Sequence, residues 1–318
     1  MSGFLSTVLT TDFVFAIFRI TAPILFAALG AVIAQKAGVT NIGLDGIMMI
    51  SALFGTLISY WTQSWIVGVL GAVIVGMLIA LMMGFFALRL RTDIILTGIA
   101  VNMLGDGGTI FLLYMFTGLR GNTSSLSSPN ILIPTVNIPL LKDIPILGPI
   151  FSGHAVLTYL AFILVFVVRF MLNRTSIGLN IRAVGENSDA ARSVGISVKR
   201  VQYIALILSG ALAGLGGAFM SMYYSQSWNT GMVAGRGFIA LAAEAMGRGQ
   251  PVGAMFSSLI FGFAQALESR VSGIQGVSSF LVAAIPYLVT IVGLVLFVWS
   301  SKRKAERRRR MISTSDWE

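Results

Sequence analysis

Long apolar runs broken by short polar links set the pattern of this chain. A helix needs about 20 apolar residues to cross a hydrocarbon core. Runs of that order fall near 14–34, 42–60, 65–88, 94–117, 155–172, 201–222, 251–267 and 277–299. Between 222 and 251, GRGFIALAAEAMGRGQP has an apolar part (237–247) too short for an ordinary span at about 1.5 Å per residue, so it predicts a half-helix or re-entrant segment. The fold expected is an all-α polytopic membrane protein, with about eight transmembrane helices plus that half-helix, in one domain over 1–318.

The order of features repeats. In 1–117 a span holding Pro23 is followed by the Gly-punctuated NIGLDGIMMISALFG, a long span and 94–117. In 201–299 the Gly-rich YIALILSGALAGLGGAFMSM is followed by GRGFIALAAEAMG, PVGAMFSSLIFGFAQALE and 277–299. If the half-helix counts as a crossing, the span at 14 and its partner at 201 run in opposite directions. That makes an inverted repeat, a transporter pattern whose path is expected at the repeat interface, near interrupted helices. The proline-rich link 118–154 is expected to form an ordered cap over the outer mouth.

Charge sets the orientation. With the C-terminus inside, 35–41, 89–93 and 173–200 fall inside, and the N-terminus falls outside. Ten basic residues from Lys36 to Arg248, plus the basic tail 300–318, then lie inside. Arg120, Lys142, Arg236 and Arg270 lie outside, and Arg19 sits within the first span. This is the positive-inside asymmetry. The net charge of +10 comes mostly from KRKAERRRR (302–310), which directly follows an apolar run and reads as a cytoplasmic anchor on anionic lipid, with no nucleic-acid partner. A chain 56% hydrophobic and 11% charged is far from a soluble composition. It has no cysteine and a single histidine, His154, so thiolate metal sites and disulfides are excluded. The first residues lack a basic n-region and read as mature protein rather than a signal peptide.

Polar groups at membrane depth are the candidate chemistry. Asn41 and Asp45 are four apart, as are Asn102 and Asp106, with Thr109 three further on, so each set is expected to share a helix face and line a path. The alternative is that they satisfy backbone freed at helix breaks, because Gly43, Gly46, Gly105, Gly107 and Gly108 lie among them. Glu244, a further path candidate, is four residues from Arg248, which suggests a local ion pair at the inner end of the half-helix. No nucleophile–His pair, metal spacing or phosphate loop occurs, so the chain reads as a conduit and not an enzyme, with any ATP chemistry on another chain. A carboxylate-lined ion-coupled carrier, using Asp45 and Asp106, is the rival of another class.

Within the charged island GLNIRAVGENSDAARSVGISVKR (178–200), Asn187 or Ser188 can cap a short helix through Asp189–Arg192, and Gly195 can end it. It reads either as a docking element or as a solvated inside loop. The segments AGVTNIGLDGIMMI, RTDIILTGIAVNML, GLNIRAVGENSDAARSVGISVKRVQYIALILSGALAGLGGAF and GRGFIALAAEAMGRGQPVGAMFSSLIFG resemble ABC importer permeases of the branched-chain amino acid and ribose type, and most closely bacterial nucleoside (guanosine-type) permeases. The resemblance implies a subunit of the bacterial cytoplasmic membrane that binds no cofactor itself. It also implies an ABC ATPase partner carrying ATP and Mg, a second, paralogous permease chain and a substrate-binding lipoprotein. It assigns Arg182, Gly185, Glu186, Asn187, Asp189, Ala190 and Gly195 to the coupling loop that meets the ATPase. Nucleosides are the implied solute, with sugars or branched-chain amino acids as alternatives. Two departures stand out. Glu244 occupies a position expected to be apolar, and GRGQP replaces an aromatic-containing turn.

Overall fold

The computed structural model describes residues 10–126, 128–138 and 147–272, with Leu288 and Val292. Apart from those two residues, the span expected at 277–299 lies outside the described residues, as does the basic tail. Twelve helices are described: α1 (Thr11–Lys36), α2 (Leu44–Thr62), α3 (Trp65–Gly84), α4 (Ile94–Met103), α5 (Thr109–Thr117), α6 (Leu147–Phe151), α7 (Val156–Arg174), α8 (Ser176–Glu186), α9 (Ser188–Ser193), α10 (Val198–Phe219), α11 (Arg236–Met246) and α12 (Pro251–Val271). Wide π turns extend α3 (Phe85–Arg89) and α10 (Met220–Tyr224), and a third, Leu104–Gly108, fuses α4 and α5 into one span. Seven stretches are long and apolar enough to cross a membrane, in accord with the spans read from the sequence inside the described region.

The central helix is α1. Thr10 caps its start by accepting from Phe13 N, and Ile24 through Leu29 are fully buried. It packs on α10, α12, α11 and α7, while α10 packs in turn on α3 and α2. The packing is reciprocal: α1 lies on α12 of the second half, and α10 lies on α3 of the first. Glycine makes the α3–α10 crossing possible. A Cβ on either Gly76 or Gly210 would overlap the other's carbonyl oxygen, and one on Gly214 would sit 2.6 Å from Ala72 O. Lipid supplies no hydrophobic drive between helices, so this close backbone approach and its dispersion contacts hold the pair together. The outward faces of α3, α4, α5 and α7 are apolar and exposed, as at Leu70, Met103, Phe111 and Phe166.

The described residues of 118–155 form a cap at one end of the bundle. It is ordered by turns at Ser124–Leu126 and Pro129–Ile131, and by strand β1 (Thr135–Val136) paired antiparallel with β2 (His154–Ala155). Ser59 of α2 donates to Ile131 O at 3.0 Å, and Thr123 N donates to Trp228 O at 3.0 Å, so the cap is tied to the membrane helices and to the segment entering α11. His154 is 2% exposed, stacked on Phe15 of α1 with ring centroids 3.9 Å apart. Burial holds its imidazole below the ordinary 6.5, and the Arg19 charge acts in the same sense. As pH falls below about 6.5 the unfolded chain takes the proton first. The contribution of His154 to stability is therefore complete above that value and is lost as pH drops toward the lower folded value. The apparent Tm should fall between about pH 7.5 and pH 5.5, and a His154→Gln variant should lose that part of the drop.

Candidate translocation and coupling site

The starts of α2 and α11 meet inside the bundle. Asp45, in the first turn of α2, accepts from Gly237 N of α11 at 2.9 Å. A Cβ on Gly237 would collide with Asp45 backbone, so only glycine permits the approach. Asp45 also feels the charges of Asp106 and Arg236. From this junction α11 runs 11 residues, about 16 Å, to the opposite end from the cap, where Gly249 lies beside Lys36. The segment before it begins at the cap, with Trp228 bonded to Thr123. Residues 225–249 thus pass through the bundle as a run of turns followed by a half-helix, the half-helix being what the short apolar run predicts.

Two of the face-sharing expectations fail. Helix α2 begins at Leu44 with Gly43 as its cap, so Asn41 precedes the helix and does not share a face with Asp45. Asn41 is 1% exposed and donates to Ser209 Oγ of α10 at 3.0 Å. In the second set, the π turn at 104–108 inserts extra backbone and rotates the helix beyond it. Asn102 faces α2, accepting from Gly46 N at 2.8 Å and donating to Ile42 O at 3.0 Å. Asp106 is exposed, and Thr109 is buried and donates back to Gly105 O. Asn102 therefore does what the alternative reading describes: it satisfies backbone at a helix break.

Arg236, which the charge count puts outside, packs within the bundle. It is the first residue of α11, and its Nη1 donates to Met232 O and Val233 O at 3.2 and 3.1 Å. Its guanidinium lies 5.4 Å from the Tyr224 ring centroid, and Arg19 approaches the same ring at 5.3 Å. Sequence reasoning missed this cluster. Arg19 within a 26-residue apolar helix was its signal, because a mid-span cation requires a polar neighbourhood.

At the end opposite the cap, the charged island folds as two helices. Thr175 caps α8, whose Gly178, Ile181 and Val184 are buried at spacings of three. Asn187 Oδ1 caps α9 by accepting from Asp189 N and Ala190 N, both at 3.0 Å, and Gly195 comes after α9 at φ 88°. The capping expectation holds, whereas α8 was not foreseen. Arg182, Glu186, Asn187, Asp189 and Ala190 are exposed, and Asp189 pairs with Arg192 at 3.6 Å. Exposed Leu179 (58%) and Val194 (76%) add apolar surface. Between the island and the bundle lies a cavity of about 580 Å³, whose charged lining is Lys36, Arg182, Glu186, Glu244 and Arg248. Helix α11 stops at Met246 and Arg248 has φ 58°, so Arg248 lies beyond the helix that carries Glu244; both line this cavity, and the Lys36 charge acts on Glu244.

The sequence matches a known family of proteins. The family model described as branched-chain amino acid transport system / permease component matches residues 13–298. The chain is 35% identical over 288 residues to the guanosine ABC transporter permease protein NupQ of Bacillus subtilis, covering 87% of this chain and 89% of that one. It is 34% identical over 289 residues to the nucleoside ABC transporter permease protein NupC of Lactococcus lactis, covering 87% and 89%. A solved inward-facing ABC transporter described as of metal-chelate type shares the fold at TM-score 0.52 and 16% identity, over 88% of this chain and 85% of that one. The chain therefore belongs to the branched-chain amino acid transport system permease family.

Proposed function

We propose that this chain is one half of the membrane pathway of an importer that carries nucleosides inward, driven by ATP on a separate ABC ATPase subunit. The observation that carries the reading is the identity of 35% to a guanosine permease along 87% of the chain. The island lies on the cytoplasmic side with the C-terminal tail, and the N-terminus lies outside. Arg182, Glu186, Asn187, Asp189 and Ala190, exposed together on α8 and around the start of α9, meet the ATPase. ATP and Mg²⁺ bind there and not on this chain. The cap receives solute from a substrate-binding lipoprotein.

Asp106 supports a second, paralogous permease chain. Its carboxylate is exposed on a span whose neighbours Met103, Leu104, Ile110 and Phe111 are exposed hydrophobics. A carboxylate facing hydrocarbon is costly, so this face turns to a partner and to the aqueous path between the two chains. Asp45 at the α2–α11 junction lies within reach of that path. Closure of the ATPase would move the island, and differential contact with its two states would bias which end of the path is open.

The test is uptake of labelled guanosine, ribose and leucine by proteoliposomes holding this chain with its co-purifying membrane, ATPase and binding partners. ATP-dependent uptake of guanosine alone is the expected result. Uptake of ribose or leucine instead would replace the solute, and proton-driven uptake without ATP would establish the carrier alternative.

A further inference from the structure

Lys36 and Glu244 belong to different halves of the chain and both reach toward Gly249. Gly185 of α8 lies so close to the last residue of α1 that a Cβ there would overlap Lys36 O and come within 3.1 Å of Gly38 N. The island therefore touches the backbone that carries Lys36. The Lys36 side chain extends toward α11: its Nζ is 3.5 Å, and Glu244 Oε1 is 3.2 Å, from the position a Gly249 Cβ would take. Gly249 has φ 60° and leaves that space open between the two charges. Glu244 is only 9% exposed, so its carboxylate depends on a nearby cation far more than a surface carboxylate would. Beyond it, Gly247 packs against Gly253 and Ala254, which joins the end of α11 to the start of α12.

These neighbours line up from α8 through the end of α1, to the Lys36 and Glu244 charges that flank Gly249, and on to α11 and α12. At its far end α11 begins at Asp45. We propose that Lys36 and Glu244 are positioning residues whose charges make the half-helix α11 follow the island. Neither residue touches the solute. Movement of α8 shifts the end of α1, and separating Lys36 from a buried carboxylate is unfavourable, so α11 moves with it and carries the α2–α11 junction along. Glu244 lies two turns from that junction, which places its role at the coupling end rather than in the path.

The inference rests on the ATP-driven reading, and two measurements separate their fates. The chain has no native cysteine, so Lys36→Cys with Glu244→Cys can be joined by a short bifunctional thiol reagent in membranes without background. Near-complete joining is expected, and its absence would overturn the proximity whatever the protein transports. In proteoliposomes of the whole complex, Lys36→Ala and Glu244→Gln should each lower solute moved per ATP by about fivefold or more, with ATP turnover retained. Lys36→Arg should preserve the ratio, and the exchange Lys36→Glu with Glu244→Lys should recover it in part, which simple misfolding would not do. Unchanged single variants, or an exchange worse than either, would overturn the proposal while ATP-driven import stands. An unaltered complex that moves no solute with ATP would overturn the import reading and the coupling role together.

Discussion

Gly185→Val is expected to reduce solute uptake sharply while leaving the chain in the membrane. Position 185 lies on α8 against the last turn of α1, where a Cβ would overlap Lys36 O and fall 2.8 Å from Lys36 C. Backbone cannot yield as a flexible side-chain tip can, so α8 must tilt away from the bundle. Overpacking of this kind costs about 1–3 kcal/mol where it can be absorbed. Here the strain can be relieved by moving a short, half-exposed helix, so the loss should appear in coupling more than in global stability. The spans keep their hydropathy, so insertion should be normal. Uptake should fall by about tenfold or more, since about 1.4 kcal/mol is a factor of ten. Flux with valine at 185 equal to that of the unaltered chain would show that the α8–α1 contact is not the route of transmission.

Asn102→Leu should act on stability first. The amide spans the interrupted start of α2, accepting from Gly46 N and donating to Ile42 O. Leucine is close in volume but supplies neither bond. Each orphaned backbone group costs about 1–3 kcal/mol, so the sum is about 2–6 kcal/mol. The apparent Tm in detergent and the yield of assembled complex should both drop, whereas Asp106→Asn, at an exposed carboxylate, should leave the Tm near that of the unaltered chain. A Tm unchanged by Asn102→Leu, with altered solute preference, would move Asn102 into the path.

These two residues also mark where the sequence is legible. The spans could be read from it because length and hydropathy decide membrane insertion one segment at a time. The Asn187 cap could be read because capping involves only three or four consecutive residues. The face on which Asp106 and Thr109 lie relative to Asn102 could not, because the π turn at Leu104–Gly108 intervenes, where Gly105 packs against Gly46. The Arg19–Tyr224–Arg236 cluster draws on residues about 200 positions apart that no local pattern connects. Glycine richness shows that helices approach closely, but not which ones. Gly76 and Gly210 find each other only in the fold.

The central place of α1 bears on how the protein is made. It is made before the other described helices, yet its middle turns are fully buried, and α7, α10, α11 and α12, all synthesised later, supply most of that cover. Until those helices arrive, Arg19 has neither Tyr224 nor the rest of its final surroundings, and a cation exposed to lipid is unfavourable. The N-terminal half therefore cannot mature as a unit during translation. A nascent chain arrested after α5 presents an unfinished surface to membrane quality-control proteases, and quantities of the protein in the cell should depend on how quickly elongation reaches α12.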